Sequence, residues 1–378
     1  MTRILLVIPT LDRSGAEKQL TLLATHLPRD QFELHVVALT RGGPYAETLR
    51  QHGIPLTILG KRFRFDPLAL YRLRRLIREY QPDVVHSWLF AGNSYCRMVA
   101  GGPGQPPVMV AERCVDSWKA GWQLWLDRRQ IDRTARLVGN SRAVADFYLS
   151  QGFPADRVQV IPNAVESNDL LDDQAATTRA AVLQEFDLPP EARVVACTGR
   201  MARQKRITDL VWAFQVLRQC TENVYFLVVG DGPERPRCER LAVEFDCQHL
   251  CRFVGHREDV PRLLQAVDVL WLASDFEGQS NSLMEAMAAG IPVVASEIPA
   301  NQELIENGVN GYLVSVGDSV GFSQFTDRLL NDAGLSRRVG AAARQRMREE
   351  FSIEKMVQAH VEAYEEISAR FSVSRPGS

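Results

Sequence analysis

Short apolar runs alternate with amphipathic stretches along the whole chain. In the first half the runs are Ile4–Ile8, Leu34–Leu39, Leu56–Leu59, Val84–His86, Val108–Ala111, Leu137–Val138 and Val158–Ile161. They are rich in Val, Ile and Leu without strict alternation, which is typical of parallel strands buried on both faces. Helical spacing marks the stretches between them, for example at Leu73, Leu76, Ile77 and Tyr80. This rhythm predicts an α/β fold with parallel sheets covered by helices.

The second half repeats the rhythm. Its apolar runs are Val194–Thr198, Tyr225–Val229, Val269–Leu272, Val293–Ala295 and Tyr312–Val314. Between the halves, the polar stretch Glu166–Thr178 has no buried-strand pattern and suits a linker. The stretch Ser352–Ala369 has the pattern of a helix. Two domains are therefore predicted.

Composition narrows the class of protein. The 378 residues are 46% hydrophobic, enough for a core in each of two domains. The net charge of −2 gives no overall attraction to nucleic acid. The seven cysteines include no CxxC pair and no zinc spacing, so we expect reduced thiols in a cytoplasmic protein. The first apolar run is too short for a signal peptide or a membrane span.

Ligands of open α/β sheets bind at the carboxyl ends of strands, so the residues after each strand are the candidates for chemistry. The segment Asp275–Pro292 follows a strand and is punctuated as a loop and a helix. That helix can be capped by Ser280, Asn281 or Ser282 and ended by Gly290. A helix start presents free N–H groups and a positive dipole end, which suits a phosphate.

Two carboxylates in this segment can each accept hydrogen bonds from neighbouring sugar hydroxyls. Glu277 lies in the loop and suits a hexose, while Glu285 lies in the predicted first helical turn and suits a ribose. A capping box from Ser282 to Glu285 explains Glu285 equally well by local chemistry.

A cationic loop follows the strand Val194–Thr198. It contains Arg200, Arg203, Lys205 and Arg206. Arginine binds phosphate bidentately and lysine as a point charge, so this loop could hold a diphosphate without a metal and stabilise it as a leaving group. A solvated basic loop is the alternative.

Other strand ends carry weaker signals. Gly230 and Gly232 permit a tight turn with close backbone approach, although the third glycine of a dinucleotide fingerprint is missing. A structural turn is the equal alternative. Arg257 could lie near a nucleobase, and Gly15 could admit a phosphate from the N-terminal half.

In the N-terminal half, His86 could donate to a sugar hydroxyl or handle a proton, although a simple hydrogen-bonded histidine explains it too. Trp88 comes soon after it, and Glu112 and Arg113 end another strand. Farther along, three tryptophans recur at i, i+4 and i+7, at Trp118, Trp122 and Trp125. Helix packing is favoured for them over a carbohydrate platform.

Seven basic residues lie in one twenty-residue stretch, 61–80, in which only Asp66 and Glu79 are acidic. Such a patch could rest on anionic lipid. A solvated helix face is the alternative.

Taken in order, these segments resemble glycosyltransferase family 4. Two glutamates with seven residues between them match Glu277 and Glu285, and the phosphate-binding pair matches Arg200 and Lys205. Further matches are the turns Ser14–Glu17 and Gly230-Asp-Gly-Pro233, Asn140-Ser141, and Ile161-Pro-Asn163. Three positions where the family often has glycine hold Ser14, Ala164 and Arg206 instead. The side chain of Ser14 would narrow the space beside the donor phosphates at this turn.

The resemblance implies the GT-B fold, in which two Rossmann-like domains face each other. The N-terminal, acceptor-binding domain would comprise residues 1–168 together with a helix at 352–370 that crosses back onto it. The donor-binding domain would comprise residues 188–350. The implied donor site is formed by Gly15, Arg200, Lys205, Gly230, Arg257, Glu277, Gly278, Ser280, Asn281, Ser282, Leu283 and Glu285.

The resemblance also implies chemistry. The diphosphate would sit on Arg200, Lys205 and the helix start, with Glu285 on the ribose and Glu277 on the transferred sugar. The acceptor would lie near His86, Trp88 and Glu112. The residues implied in catalysis are Glu277, His86, Arg200 and Lys205, with His86 orienting the sugar.

The implied function is retaining, metal-independent transfer of a hexose-type sugar from a nucleotide-sugar, with UDP expected as the nucleotide. The acceptor is a hydroxyl of a glycan or lipid-linked molecule in cell-surface polysaccharide or glycolipid synthesis. No cofactor and no nucleic acid are expected, and the basic stretch would give peripheral contact with the inner face of the membrane. The alternatives are a nucleotide-sugar epimerase, a phosphorylase, or a non-catalytic nucleotide-sugar-binding protein.

Overall fold

The computed structural model describes residues 1–115, 119–166 and 172–372. It divides into two compact units. The N-terminal unit comprises Met1–Ala164 and the segment from Ile353 onward, and the C-terminal unit comprises Val165–Ser352.

The N-terminal unit contains a parallel sheet of seven strands. They are β1 Thr2–Thr10, β2 Phe32–Arg41, β3 Leu56–Ile58, β4 Val84–Trp88, β5 Val108–Glu112, β6 Arg136–Gly139 and β7 Val158–Val160. The order is β3-β2-β1-β4-β5-β6-β7, so the chain reverses its direction of growth between β1 and β4. The helices between the strands are α1 Gly15–His26, α2 Pro44–Gln51, α3 Pro67–Tyr80, α4 Leu89–Val99, α5 Gly121–Arg129 and α6 Arg142–Ser150.

Strand β1 shows why the first apolar run lacks polar positions. Successive side chains point to opposite faces of a sheet, and here both faces are covered. Ile4 and Leu6 enter one hydrophobic cluster, while Leu5 and Val7 enter another. All four side chains are fully buried.

The C-terminal unit has the same plan with six parallel strands. They are β8 Arg193–Thr198, β9 Val224–Val229, β10 Cys251–Gly255, β11 Val269–Leu272, β12 Val293–Ser296 and β13 Tyr312–Val314. The order is β10-β9-β8-β11-β12-β13, with the reversal between β8 and β11. The helices of this unit are α7 Asp172–Glu185, α8 Ile207–Leu217, α9 Arg235–Glu244, α10 Val260–Leu264, α11 Asn281–Ala288, α12 Pro299–Gln302, α13 Ser319–Asn331 and α14 Ala333–Glu350.

The last helix, α15 (Ile353–Ser372), belongs to the N-terminal unit. Its apolar face enters the same cluster as Ile4 and Leu6, through Met356, Val357, Val361, Ala363, Tyr364 and Ile367. Arg136 on β6 also pairs with Glu366 at 2.7 Å. The helix therefore completes the core of the domain in which the chain began.

Two predictions about elements are wrong. The linker expected over Glu166–Thr178 gives way to helix α7 from Asp172, and residues 167–171 of that stretch lie outside the described residues. Val182 and Leu183 near the end of α7 are buried in the core of the C-terminal unit, which explains why the segment is ordered. Strand β10 has no counterpart among the predicted apolar runs, because its sequence Cys-Arg-Phe-Val-Gly is short and contains an arginine and a glycine.

In the ranges that the structure describes, no helix combines the length and the apolar character needed to cross a membrane.

Candidate active site

The cationic loop and the two-glutamate segment meet in the C-terminal unit. The loop follows β8 and the segment follows β11, so both leave the sheet where the strand order reverses. Such a reversal opens a crevice beyond the carboxyl ends of the strands, where ligands of this sheet type bind. Topology therefore places the two strongest motifs of the sequence side by side.

The contact between them is an ion pair. The Lys205 ammonium donates to Glu277 Oε1, and Ser274 Oγ donates to the same oxygen at 2.6 Å. Glu277 is 9% exposed, so its carboxylate is held in place by a cation and a hydroxyl in a largely water-excluded position. Charge-assisted hydrogen bonds of this kind orient a side chain more firmly than neutral ones.

Two further bonds join the same loops. The Asp275 amide donates to the Gln204 carbonyl at 2.9 Å, and Arg206 Nη1 donates to Asp275 at 2.9 Å. Arg206 adopts a left-handed backbone with φ 47°, where a side chain costs about 1–2 kcal/mol relative to glycine. This conformation explains why glycine suits the position in the resembling family. Here the ion pairs of Arg206 with Asp209 and Asp275 hold the turn.

Arg200 is exposed and lies at the start of the same loop. With Lys205 it brings two positive charges to the edge of the sheet at which Glu277 is held. A diphosphate suits such a pair because arginine offers a planar fork and lysine a compact charge.

Helix α11 begins at Asn281, and its N-cap is Ser280, one of the three residues expected there. Ser282 is the second helical residue, and Glu285 the fifth. The capping box from Ser282 to Glu285 is therefore wrong, because a box requires its serine to precede the helix. Glu285 lies one turn inside the helix, half-buried, and not in the first turn as expected.

The end of α11 follows the prediction. Gly290 has φ 76°, its amide donates to Met287, and the Ile291 amide donates to Ala286. This is a Schellman motif, which needs a residue with positive φ after the helix. The loop before α11 holds Gly278 buried, and Leu283 is fully buried beneath the helix start.

The turn at Gly230 packs against the cationic loop. A Cβ on Gly230 would lie 1.9 Å from the Gly199 carbonyl oxygen, and one on Gly232 would lie 2.5 Å from that of Met201. The Met201 amide also donates to the Asp231 carbonyl at 2.8 Å. The glycines thus allow close approach of one loop to another, and a donor contact at Gly230 stays a prediction.

Arg257 lies in an acidic environment. Its guanidinium pairs with Glu185 at 2.7 Å and with Asp259 at 2.8 Å. Those carboxylates raise the pKa of Arg257, the Asp259 hydrogen bond contributing most, and the pairing lowers the pKa of Asp259. The contact of Arg257 with a nucleobase remains a prediction.

In the N-terminal unit, Ser14 is the N-cap residue of α1 and Gly15 begins the helix, exposed. Glu17 is 4% exposed and accepts hydrogen bonds from Thr10 Oγ1 at 2.9 Å and from the Ser14 hydroxyl. The turn is thus fastened by its own side chains.

His86 is fully buried at the point where β4 approaches α15. Its Nδ1 lies 2.7 Å from the Tyr364 hydroxyl, and its Nε2 has no partner among the described residues. Burial lowers the pKa of His86 well below its ordinary range, and the nearby His360 and Arg113 lower it further. The imidazole is therefore neutral near pH 7, a form that can donate or accept a hydrogen bond.

Glu112 belongs to a buried charge cluster that the sequence reasoning missed. It accepts from Asn93 at 3.0 Å and pairs with Lys119 at 3.4 Å, and Lys119 pairs with Asp127 at 3.0 Å. Arg97 completes the cluster by pairing with Asp127. No sequence signal points to this cluster, because only the fold shows that its charged side chains are buried.

Two of the three tryptophans of the stripe, Trp122 and Trp125, do not pack in the core. Helix α5 begins only at Gly121, and Trp118 lies outside the described residues. Trp122 is 50% exposed and Trp125 57% exposed, so the helix-packing interpretation is wrong. Trp88 is fully buried beneath the Arg113 guanidinium.

Comparison with known proteins decides the family. Residues 13–169 match the profile described as Glycosyltransferase Family 4, and residues 192–332 match that of Glycosyl transferases group 1. The chain belongs to glycosyltransferase family 4. The family-like motifs of both halves lie inside the matched ranges.

Two curated relatives show how far the similarity extends. N-acetyl-alpha-D-glucosaminyl L-malate synthase from Bacillus anthracis is 31% identical over 185 residues, which are 49% of this chain and 48% of the relative. Lipopolysaccharide core biosynthesis glycosyltransferase LpsE from Rhizobium meliloti is 30% identical over 226 residues, 60% of this chain and 63% of the relative. The matched segments thus span about half and somewhat under two thirds of these proteins.

Among solved structures, Anabaena HepE in complex with UDP-glucose has a TM-score of 0.86 and 21% identity, covering 97% of this chain and all of that one. The fold class is that of the GT-B glycosyltransferases, with a parallel Rossmann-like sheet in each unit.

Proposed function

We propose that this chain is a retaining hexosyltransferase that uses a nucleotide-sugar, with UDP as the nucleotide, and glycosylates a hydroxyl of a glycan or lipid-linked acceptor. Its role would lie in cell-surface polysaccharide or glycolipid synthesis. The observation that carries the proposal is the Lys205–Glu277 ion pair between the loops after β8 and β11. It joins a phosphate-binding cation to a sugar-binding carboxylate at the ligand-binding edge of the sheet.

The donor would be held by the C-terminal unit. Arg200, Lys205 and the start of α11 would neutralise the diphosphate as the bond to the sugar breaks. Glu277 would hold hydroxyls of the transferred sugar and Glu285 those of the ribose. Because Lys205 and Glu277 are in contact, Lys205 would lie at the diphosphate and Glu277 at the sugar, on either side of the bond that breaks.

The choice of donor and acceptor draws on the relatives. UDP-glucose is bound in the HepE structure, which supports a UDP-sugar here. LpsE takes part in lipopolysaccharide core synthesis, which supports a cell-surface acceptor. The acceptor would be held by the N-terminal unit near His86, Trp88 and Glu112.

The proposed step conserves the anomeric configuration. The C1–oxygen bond to the diphosphate breaks, the acceptor oxygen bonds to C1 on the same face, and the acceptor proton passes to the leaving phosphate oxygen. Cationic side chains supply the charge that a divalent metal would otherwise supply, so EDTA should leave the rate unchanged. Proton NMR of the product should show retention, and an inverted linkage would contradict the mechanism.

A thermal-shift screen of UDP-, GDP- and ADP-sugars tests the donor class. A ligand at 100 times its Kd adds about 2.7 kcal/mol of stability. We expect the UDP-sugars to stabilise the protein most. Incubation with the donor alone separates the alternatives, since an epimerase changes the sugar without an acceptor. Donor binding without turnover on any of a panel of acceptors would favour a non-catalytic protein.

Peripheral contact with an anionic membrane is part of the proposal. The segment from Lys61 to Arg78 exposes basic side chains, and Phe63, Phe65 and Tyr71 on it are each more than half exposed. Trp122 on α5 joins this surface, because the Arg64 guanidinium lies 5.4 Å from its ring. Aromatic rings among cations suit the interface of a bilayer with anionic headgroups.

Liposome co-sedimentation tests this contact. Each basic side chain near such a surface contributes about 1 kcal/mol, so R62Q together with R64Q should weaken binding to phosphatidylglycerol vesicles by more than tenfold. The pair F63S and F65S should weaken it as well, while V320S, which removes an exposed apolar side chain of the C-terminal unit, should not. Binding that is independent of anionic lipid would contradict the idea.

A further inference from the structure

Arg113 follows β5 directly and carries a charge that no carboxylate among the described residues balances. Its guanidinium lies 4.5 Å from the centre of the Trp88 ring, and Nη2 donates to the side chain of Asn163. Nη1 is buried and has no hydrogen-bond partner among residues 1–115, 119–166 and 172–372. Among the ion pairs of the described residues, none involves Arg113. Burial lowers the pKa of Arg113 to about 9, which still leaves it charged at neutral pH.

Arg113 is partly buried, and its Nη1 is removed from water, which is costly for a cation without a counter-charge. Removing an ion from water costs several kcal/mol after relaxation, whereas a cation–π contact returns about 0.5–2 kcal/mol. Buried charges in proteins are therefore normally paired or bound to a ligand. The stack on Trp88 holds the guanidinium in place without balancing its charge.

The surroundings of Arg113 contain further unsatisfied polar atoms. Four such atoms are buried and have no partner in the part of the chain that the structure describes: His86 Nε2, Trp88 Nε1, Asn140 Oδ1 and His360 Nε2. The rings of His86 and Trp88 are 5.2 Å apart, and those of His86 and His360 are 5.5 Å apart. Asn140 donates to the Arg113 carbonyl at 3.4 Å. These groups therefore form one cluster.

The position of the cluster is that of a ligand site. Trp88 ends β4, Arg113 follows β5, Asn140 follows β6 and Asn163 follows β7. The register pairs Trp88 with Ala111, which brings these strand ends to one edge of the parallel sheet. Open α/β sheets bind ligands beyond that edge.

The chemistry of the cluster selects an anion. Arg113 and the Trp88 indole can only donate hydrogen bonds, and no carboxylate of the cluster would repel a negative charge. The guanidinium fork matches the oxygens of a phosphate or a carboxylate. We propose that Arg113, with Trp88 and His86, binds an anionic group of the acceptor, so that the acceptor is a hydroxyl compound bearing a phosphate, a diphosphate or a carboxylate.

The inference rests on the proposed function, because it assigns this edge to the acceptor. It adds a residue, Arg113, and a substrate class that the family motifs do not specify. The competing explanation is that ordered water satisfies the cluster and Arg113 only braces Trp88.

The test uses the whole chain saturated with UDP, so that added anions cannot occupy the donor site. Thermal shifts are measured with inorganic phosphate, pyrophosphate and L-malate against chloride at equal ionic strength. At least one anion should stabilise the wild type. R113Q should lose that shift, R113K should keep part of it, and R136Q, which removes another partly buried arginine of the same sheet, should keep all of it.

An equal anion shift in R113Q and wild type would overturn the proposal, as would the lack of any anion shift in the wild type. The stabilisation by UDP itself is read in the same experiment. Loss of that stabilisation would count against the proposed function, whereas its persistence without an anion effect would count only against the Arg113 site.

A second measurement needs no variant that could fail to fold. The chain has six tryptophans, and phosphate should move the indole N–H resonance of Trp88 in the UDP-saturated wild type. The exposed Trp125 serves as the internal control and should not move. Movement of neither resonance, or equal movement of both, would overturn the site.

Discussion

At the residue scale, the cationic loop separates a side chain with a defined partner from one without. Lys205 pairs with Glu277, whereas Arg203, two residues earlier, is exposed and has no ion pair among the described residues. The placement of a cation in this loop therefore indicates its role better than the number of cations does.

This difference predicts distinct effects of removing each cation. K205A should lower kcat/KM by at least about 100-fold, the scale of losing one preorganised contact with developing charge. R203A should stay within about threefold of wild type, as a surface change would. Steady-state kinetics with a saturating acceptor measure both, and equal losses would contradict the assignment.

Lys205 and Glu277 should also act as a unit. The effects of residues in contact are not additive, so K205A combined with E277Q should cost clearly less than the sum of the two single changes. A double-mutant cycle on kcat/KM measures this. Additive losses would show that the ion pair has no role in the reaction.

Gly230 provides a test of the contact between loops. In G230A the new Cβ would meet the Gly199 carbonyl at 1.9 Å in a backbone with φ 141°, so we expect a loss of more than about 2 kcal/mol of stability and weaker UDP-sugar binding. G308A is the matched control, because that glycine has φ 80° and open space around it. It should cost only about 1 kcal/mol. Chemical denaturation measures both, and equal costs would contradict the packing argument.

At the element scale, helix α15 contacts β4 through two buried histidines, His86 on the strand and His360 on the helix, whose rings are 5.5 Å apart. His86 Nδ1 lies beside the Tyr364 hydroxyl, and His360 Nδ1 donates to the Met356 carbonyl at 2.8 Å. Burial and, to a smaller extent, the nearby Arg113 lower the pKa of His360 to about 4. Both imidazoles are therefore neutral in the folded state at a pH where they take up protons when unfolded.

The sign of the pH dependence follows. Below an unfolded pKa of about 6.5 the unfolded chain binds more protons than the folded one, so stability falls as the pH falls from 7 toward 4. His360 alone would account for about 3 kcal/mol over that window. Urea unfolding at pH 7 and pH 5 should show the loss. H360Q should show a shallower slope, and an unchanged slope would contradict the assignment.

The elements also show where sequence patterns succeed. Helix α11 is bounded by Ser280 and Gly290, and both boundaries are visible in the sequence because caps and left-handed glycines are local. The start of α7 was not visible, since its polar composition resembles a linker and its order comes from packing of Val182 and Leu183.

At the scale of the whole molecule, the two units have separate cores. The clusters of the C-terminal unit draw only on residues between Val165 and Phe351, whereas a cluster of the N-terminal unit needs α15. Six buried apolar side chains of α15 contribute about 10 kcal/mol, comparable with the net stability of a domain.

Truncation should therefore affect the units differently. A chain ending at Ser352 should lose the folded N-terminal unit and keep stabilisation of the C-terminal unit by UDP-glucose. Limited proteolysis with and without UDP-glucose measures this, and full-length chain is the control. Loss of UDP-glucose protection in the truncated chain would contradict the separation of the cores.

The sequence by itself determined the fold class, the positions of twelve of the thirteen strands along the chain, the family and the candidate donor residues. These rest on local patterns: apolar runs, caps, and charged residues at strand ends. Only the tertiary structure decided that Lys205 meets Glu277, that Glu285 is no helix cap, and that Arg113 has a buried Nη1 and no ion pair among the described residues. The physical reason is that pairing and burial depend on which strand ends the sheet order brings together, and no local pattern contains that information.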